Sequence, residues 1–129
     1  MTARPIVAMV SVGVLLATMS IFGHHSFTAT YFDDKVVTVE GKLAQFLIRN
    51  PHSFLYVDVK DEDGKVTRYA IEGAAGGQFS REGVTADSLR PGDQVIVTGN
   101  PGRNPSDHRL RLKTITRPSD GWRWGGAFQ

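Results

Sequence analysis

Four histidines are the residues of this 129-residue chain with the clearest chemical potential, and three of them fall in two short segments. His24 and His25 open the run His24-His25-Ser26-Phe27, and His52 sits in Asn50-Pro51-His52 where a strand is expected to begin. If the chain is cut after Gly23, His24 becomes the amino terminus. Its α-amine and ring nitrogen can then chelate one metal ion. A further imidazole from His25 or His52 would complete a nitrogen-rich planar set, which suits Cu(II). Neutral imidazoles and a free amine are both available near neutral pH. Asp33, Asp34 or Asp58 could orient a ligating ring from behind. The plainer reading makes His24-His25 a loose start and His52 a turn residue bonded to backbone. His108, in a polar loop, joins neither set.

Other chemistries find less support. The chain has no cysteine, which removes disulfides, thiolate metal sites and cysteine nucleophiles. No serine sits in a Gly-x-Ser-x-Gly elbow. Ser26 beside His25, or Ser53 beside His52, makes no triad, because neighbours on a strand point to opposite faces. Glu72 is a candidate acid without a visible partner, so no two-carboxylate hydrolase is assembled. The chain is therefore read as a non-enzyme. Its net charge is +2, falling to +1 without Arg4, which is not the balance of a nucleic-acid binder. Basic residues do gather between Arg103 and Arg123, and acids gather at Asp58, Asp61, Glu62 and Asp63.

The elements that would position these residues are read from periodicity. Residues 1–23 have the form of a signal peptide: Arg4, then an uncharged apolar run from Ile6, then Ser20-Ile21-Phe22-Gly23 at the cut. Cleavage after Ser20 and an uncleaved anchor are the alternatives, the apolar run being at the short limit for a span. Removal of the leader leaves about 105 residues, enough for one modest core. The expected address is the periplasm or the exterior, with no membrane span after cleavage.

Residues 24–129 then form one domain with an N-terminal arm and a Trp-containing tail. The arm is expected to be extended, with Phe27, Tyr31 and Phe32 packing on the body. Val36 to Ile48 alternates as a first strand, with Val37, Val39, Gly41 and Leu43 on one face and Gly41 marking a bend. Asn50-Pro51 is a turn. From His52 to Lys60 a second strand puts Leu55, Val57 and Val59 inward and His52, Phe54, Tyr56 and Asp58 outward. Asp61 to Gly64 closes a hairpin into a third strand, Val66 to Glu72. A short helix over Gln78 to Glu82 carries Phe79 and ends at Gly83, and Thr85 can cap a further helical turn through Leu89. Strands follow at Gln94 to Gly99 and Arg109 to Thr116. Trp122, Trp124 and Phe128 lie in a Gly-rich tail.

Three strands, a helix and two strands is the order of an OB-like barrel: an all-β, five-stranded barrel with one short helix between strands 3 and 4. Such barrels bind ligands on the face of their middle strands, here Phe54 and Tyr56 with His52 beside them. A peptide, glycan, small ligand or envelope protein fits an exported chain better than nucleic acid. Alternatively, the arm and the Trp122/Trp124 tail cover Phe54 and Tyr56 as a second small core.

The segments His24-His25-Ser26-Phe27, Asn50-Pro51-His52, Asp58-Val59-Lys60-Asp61 and Leu89-Arg90-Pro91-Gly92-Asp93 resemble an uncharacterised family of small exported bacterial proteins. Its members begin near a His-His-Ser segment, carry Asn-Pro-His after the first strand, and place a Pro-Gly-Asp turn before a Val-x-Val-x-Gly strand. The resemblance covers essentially the whole chain after the leader and implies an exported, OB-like domain, with no activity attached. Gly23 and Phe79 stand where relatives tend to have Ala and Trp.

Overall fold

A computed structural model describes residues 27–126. The expected leader, the candidate ligands His24 and His25, and Phe128 lie outside these residues. The chain divides into two compact units between Thr30 and Tyr31. Of the first, the described residues Phe27 to Thr30 are helical, not extended as expected.

The second unit holds the barrel. Its elements are β1 (Val37–Leu47), β2 (Phe54–Lys60), β3 (Val66–Glu72), α1 (Gly76–Arg81), β4 (Gln94–Pro101), a 3-10 turn (Pro105–Asp107), β5 (Arg109–Arg117) and β6 (Trp122–Gly125). The sheet order is β3-β2-β1-β4-β5-β6, and a parallel pairing of β3 with β5 closes the first five strands into a barrel. This is the expected OB-like architecture, with the short helix between strands 3 and 4 and one strand more than expected.

Closure depends on β1 serving two neighbours. Val37 to Lys42 pairs with β4, and Lys42 to Leu47 pairs with β2. The strand bends where it passes from one to the other, and Gly41 makes the bend possible. A Cβ there would run into the carbonyl oxygen of Asp58. A bulge between Leu43 and Gln45 then resets the alternation, so that Phe46, not Gln45, follows Leu43 towards the core. A second irregularity opposite Thr98/Gly99 does the same for β5: Leu110 points in, Lys113 is exposed, and Ile115 is buried. Simple period-two reading cannot see either shift.

The core is Val39, Leu43, Leu55, Val57, Ile71, Leu89, Val95, Val97, Leu110 and Ile115, all buried. Val37, expected inward, is exposed at the rim. Phe79 of α1 is fully buried against Phe46 and Trp124, with ring centroids 5.8 and 4.7 Å apart. The segment after α1 is not the expected helical turn. Ser88 N–H donates to the Thr85 carbonyl at 3.0 Å, an i→i+3 turn, while Leu89 is already buried and Gly92 N–H is bonded to the Leu43 carbonyl. Anchored at both points, the segment has no length left for a helix.

The tail forms β6 on β5, with Trp124 opposite Ile115 and Trp122 opposite Arg117. Both tryptophans pack against the main core. They go there and to Phe79, rather than forming the expected cover over Phe54 and Tyr56. Arg117 holds the connection: its guanidinium donates to Asp93 at 2.9 Å, to the Ser88 carbonyl at 2.8 Å and to both Asp120 oxygens, and lies over the Trp122 ring.

Two outcomes are expected. Gly41→Ala destabilises the fold by about 1–3 kcal/mol in chemical denaturation, since backbone must move to admit one methyl group. Lys42→Ala beside it, at an exposed position, stays within about 0.5 kcal/mol. The second concerns acid. The Arg90 backbone N–H, and then Arg117, hold the Asp93 carboxyl below its usual range. A depressed folded pKa contributes stability above the unfolded value near 4 and loses it as pH falls through the folded one. Asp93→Asn therefore lowers stability at pH 7 and flattens its decline between about pH 5 and about pH 3.

Candidate functional site

Glu72, the last residue of β3, is the centre of a polar cluster that includes His52. It stands at the closing seam of the barrel, opposite Phe54 of β2 on one side and Arg111 of β5 on the other. Ile71 before it points into the core, so Glu72 points outward, with its side chain only 13% exposed. A carboxylate withdrawn from water to this degree needs partners. Tyr31 donates its hydroxyl to Oε2 at 2.6 Å, and Arg109 approaches the same oxygen at 3.6 Å. The His52 Nε2 lies 3.9 Å from Oε1, an ion-pair separation too long for a hydrogen bond.

The loop before β2 sets the position of His52. Asn50-Pro51, the expected turn, contains a cis peptide bond. Ser53, fully buried, accepts from the Arg49 N–H through Oγ and donates back to the Arg49 carbonyl. Its own N–H donates to the Ala74 carbonyl, and its carbonyl accepts from Gly73. His52 is thus held between a buried serine and the turn, half exposed, on the side of the barrel that carries Glu72 and Phe54.

Tyr31 reaches Glu72 because the chain entering the barrel is tied to the end of β4. Tyr31 bridges Gly102, Phe32 N–H donates to the Pro101 carbonyl at 3.0 Å, and Asn100 donates to the Lys35 carbonyl at 2.7 Å. The expected packing of Tyr31 on the body is therefore met, with the ring 1% exposed and Arg109 over it. Burial, and after it the hydrogen bond and charge of Glu72, push the Tyr31 phenol well above the ordinary tyrosine range.

The two residues of the expected ligand face, Phe54 and Tyr56, are half buried and stacked on each other, with centroids 6.3 Å apart and planes 19° apart. Arg109 and Arg111 of β5 lie across β3 from them. Asp58, a candidate to orient a metal-bound imidazole, is taken up instead by a two-pronged pair with Arg68 at 2.7 and 2.9 Å. Glu72 is the carboxylate beside His52. Sequence reading found Glu72 as an acid lacking a partner; its partners come from residues 41, 37 and 20 positions away, and no local pattern marks them. Among the described residues, no three His, Cys, Asp or Glu side chains come together to hold a metal ion. Within that region a metal would find His52 and Glu72, and its other ligands would have to come from outside it.

A family profile matches residues 11–111, which takes in the barrel as far as β5 and the sequence ahead of it from residue 11. The chain belongs to the DUF6152 family, a family of unknown function. No curated protein matches it. Among solved structures it is similar to the mitochondrial single-stranded DNA binding protein Rim1 of S. cerevisiae, at 15% identity and a TM-score of 0.49, over 66% of this chain and 95% of that one. A likeness of that size says nothing of what a DUF6152 chain binds. No helix among the described residues is long and apolar enough to cross a membrane.

The Tyr31–Glu72 contact gives two linked expectations. Tyr31→Phe lowers stability at pH 7 by about 1.5–3 kcal/mol, the range for a hydrogen bond to a charged group. In an alkaline titration followed by phenolate absorbance, one of the three tyrosines ionises later than the others, and this late component is missing in Tyr31→Phe. A phenol whose folded pKa is raised stabilises fully below its unfolded value near 10 and ceases to do so as pH rises further. The wild-type advantage over Tyr31→Phe should accordingly shrink above about pH 10.

Proposed function

We propose that this chain is an exported, non-enzymatic binding protein of the bacterial envelope that takes Cu(II) through His24, His25 and His52. The observation that carries the reading is the position of His52 beside Glu72, with Tyr31 fastened to the same carboxylate. Tyr31 is six residues downstream of His25. Six residues reach at most about 20 Å even when fully extended. Tyr31 and His52 meet the same carboxylate, and the histidine pair lies a few residues before Tyr31 in the sequence. A ligating imidazole commonly gives its other ring N–H to a carboxylate, which fixes its orientation and raises its basicity; Glu72, 3.9 Å from the His52 ring nitrogen, would serve in this way once the two side chains close to hydrogen-bonding distance. Signal cleavage after Gly23 would add the α-amine of His24 as a fourth nitrogen.

A second reading is supported by a different observation. Phe54 and Tyr56 form a stacked pair beside Glu72 and the β5 arginines, which suits a metal-free module that binds a small ligand or an envelope protein, with His52 serving only as a neighbour of Glu72.

Copper titration of the mature protein separates the two. The expected result is a product that begins at His24 by mass spectrometry, with an EPR spectrum of nitrogen-rich Cu(II). His52→Ala then weakens copper binding at least about tenfold. Unchanged copper affinity in His52→Ala removes His52 from the site and leaves the metal-free reading.

A further inference from the structure

A cavity of about 350 Å³ opens beside the β4–β5 loop, apart from the stacked Phe54 and Tyr56. Its floor is apolar, from Val39 and Leu110, and rings stand around it: Phe32, Tyr69 and His108. Two cations, Lys35 and Arg109, complete the lining, and among the described residues no carboxylate does. The Lys35 Nζ lies 4.0 Å from the Phe32 ring centroid, and the Arg103 guanidinium stands 4.7 Å from the same centroid. An aromatic face thus keeps positive charge at the rim.

The loop is built to hold one of these rings in place. His108 has φ 46 and ψ 51, the one positive φ outside glycine among the described residues. That conformation is unfavourable for a residue with a Cβ. It follows the 3-10 turn that Asn104 caps by accepting from Ser106 N–H, and the His108 carbonyl is fixed by Ala70 N–H at 3.0 Å. The result is an imidazole edge-on to Tyr69, with centroids 5.5 Å apart. Backbone strain of this kind collects at binding sites, where the surrounding structure over-determines it.

We infer that this cavity binds a small organic anion, a single six-membered ring carrying one carboxylate. The volume is at the lower end for small-ligand sites, which fits one ring and not an oligomer. The rings offer faces and edges to stack on. The carboxylate would meet Lys35 first, because Arg109 already shares its charge with Glu72. A benzoate-like arene and a uronic acid share this chemistry. The inference is independent of the copper reading, since none of the proposed copper ligands lines the cavity.

The test is binding to the full mature chain, followed by NMR in the presence of EDTA, with benzoate, glucuronate and the neutral benzamide as probes. Expected are shifts centred on Tyr69, His108 and Lys35, and at least tenfold weaker binding of benzamide than of the better acid. Lys35→Gln, at an exposed position, should weaken that acid about tenfold without moving the rest of the spectrum. His108→Gly, which relieves the backbone and deletes the ring, should weaken it while raising stability or leaving it unchanged. Preference for benzoate identifies an arene acid as the ligand class, and preference for glucuronate a sugar acid. Equal binding of benzoate and benzamide, shifts centred elsewhere, no binding of either acid at millimolar concentration, or no effect of Lys35→Gln would overturn the inference.

Discussion

The fold turns on one strand being shared between two neighbours. β1 gives its first half to β4 and its second half to β2, and only a strand that bends sharply can do both. Gly41 allows the bend because the Asp58 carbonyl occupies the space a side chain would need. Once β1 has turned, β2 and β3 are carried round until β3 meets β5 in parallel. That last pairing is short, Ala70 to Glu72 against Arg109 to Arg111, and it is the seam of the barrel. Bulges on β1 and β5 keep apolar residues inward through the curvature, which a straight alternation would have turned outward.

The seam is also where the polar chemistry gathers. Closing β3 on β5 brings Glu72 beside Arg109 and sets its carboxylate where little water reaches it. A half-neutralised acid in that place would cost stability, and the chain entering the barrel supplies the remaining partner through Tyr31. The same contact fastens the N-terminal side of the domain to the Glu72 side of the barrel. Fold closure and the placing of a candidate site are therefore one event, because the residues that close the barrel are neighbours of those that gather around Glu72.

Much of this was legible in the sequence, and what was not has physical causes. The inward sets Leu55/Val57 and Val95/Val97 follow from alternation over straight stretches, and Gly41 announced a bend. Phe79 could be placed in a short helix because Gly83 ends it. β6 escaped notice because it is four residues long and bounded by glycines, so its strand character comes from pairing with β5 and not from its own pattern. The turn at Thr85 escaped because a capping residue specifies a beginning but not a length, and Leu89 was already committed to the core. On the site, Phe54 and Tyr56 share the outer side of β2 as alternation predicts, while His52, expected to begin that strand, lies in the loop ahead of it. Glu72 could not be joined to them, since its partners depend on the β3–β5 seam, a contact between segments far apart in the chain.

Arg109 connects the two polar regions. One of its nitrogens lies 3.6 Å from Glu72, its guanidinium lies over the Tyr31 ring, and its side chain also lines the cavity at the β4–β5 loop. The Glu72 cluster therefore need not carry an uncompensated charge: the carboxylate is matched by the guanidinium, and the phenol is held neutral by its burial and by the carboxylate it bonds. The cavity keeps its positive character through Lys35, whose charge rests on the Phe32 ring instead of on an acid. One arginine at the start of β5 thus balances a charge on one side of the seam while contributing to the sign of the other. Its place in the barrel follows from the parallel pairing of Ala70 with Arg109 that closes it.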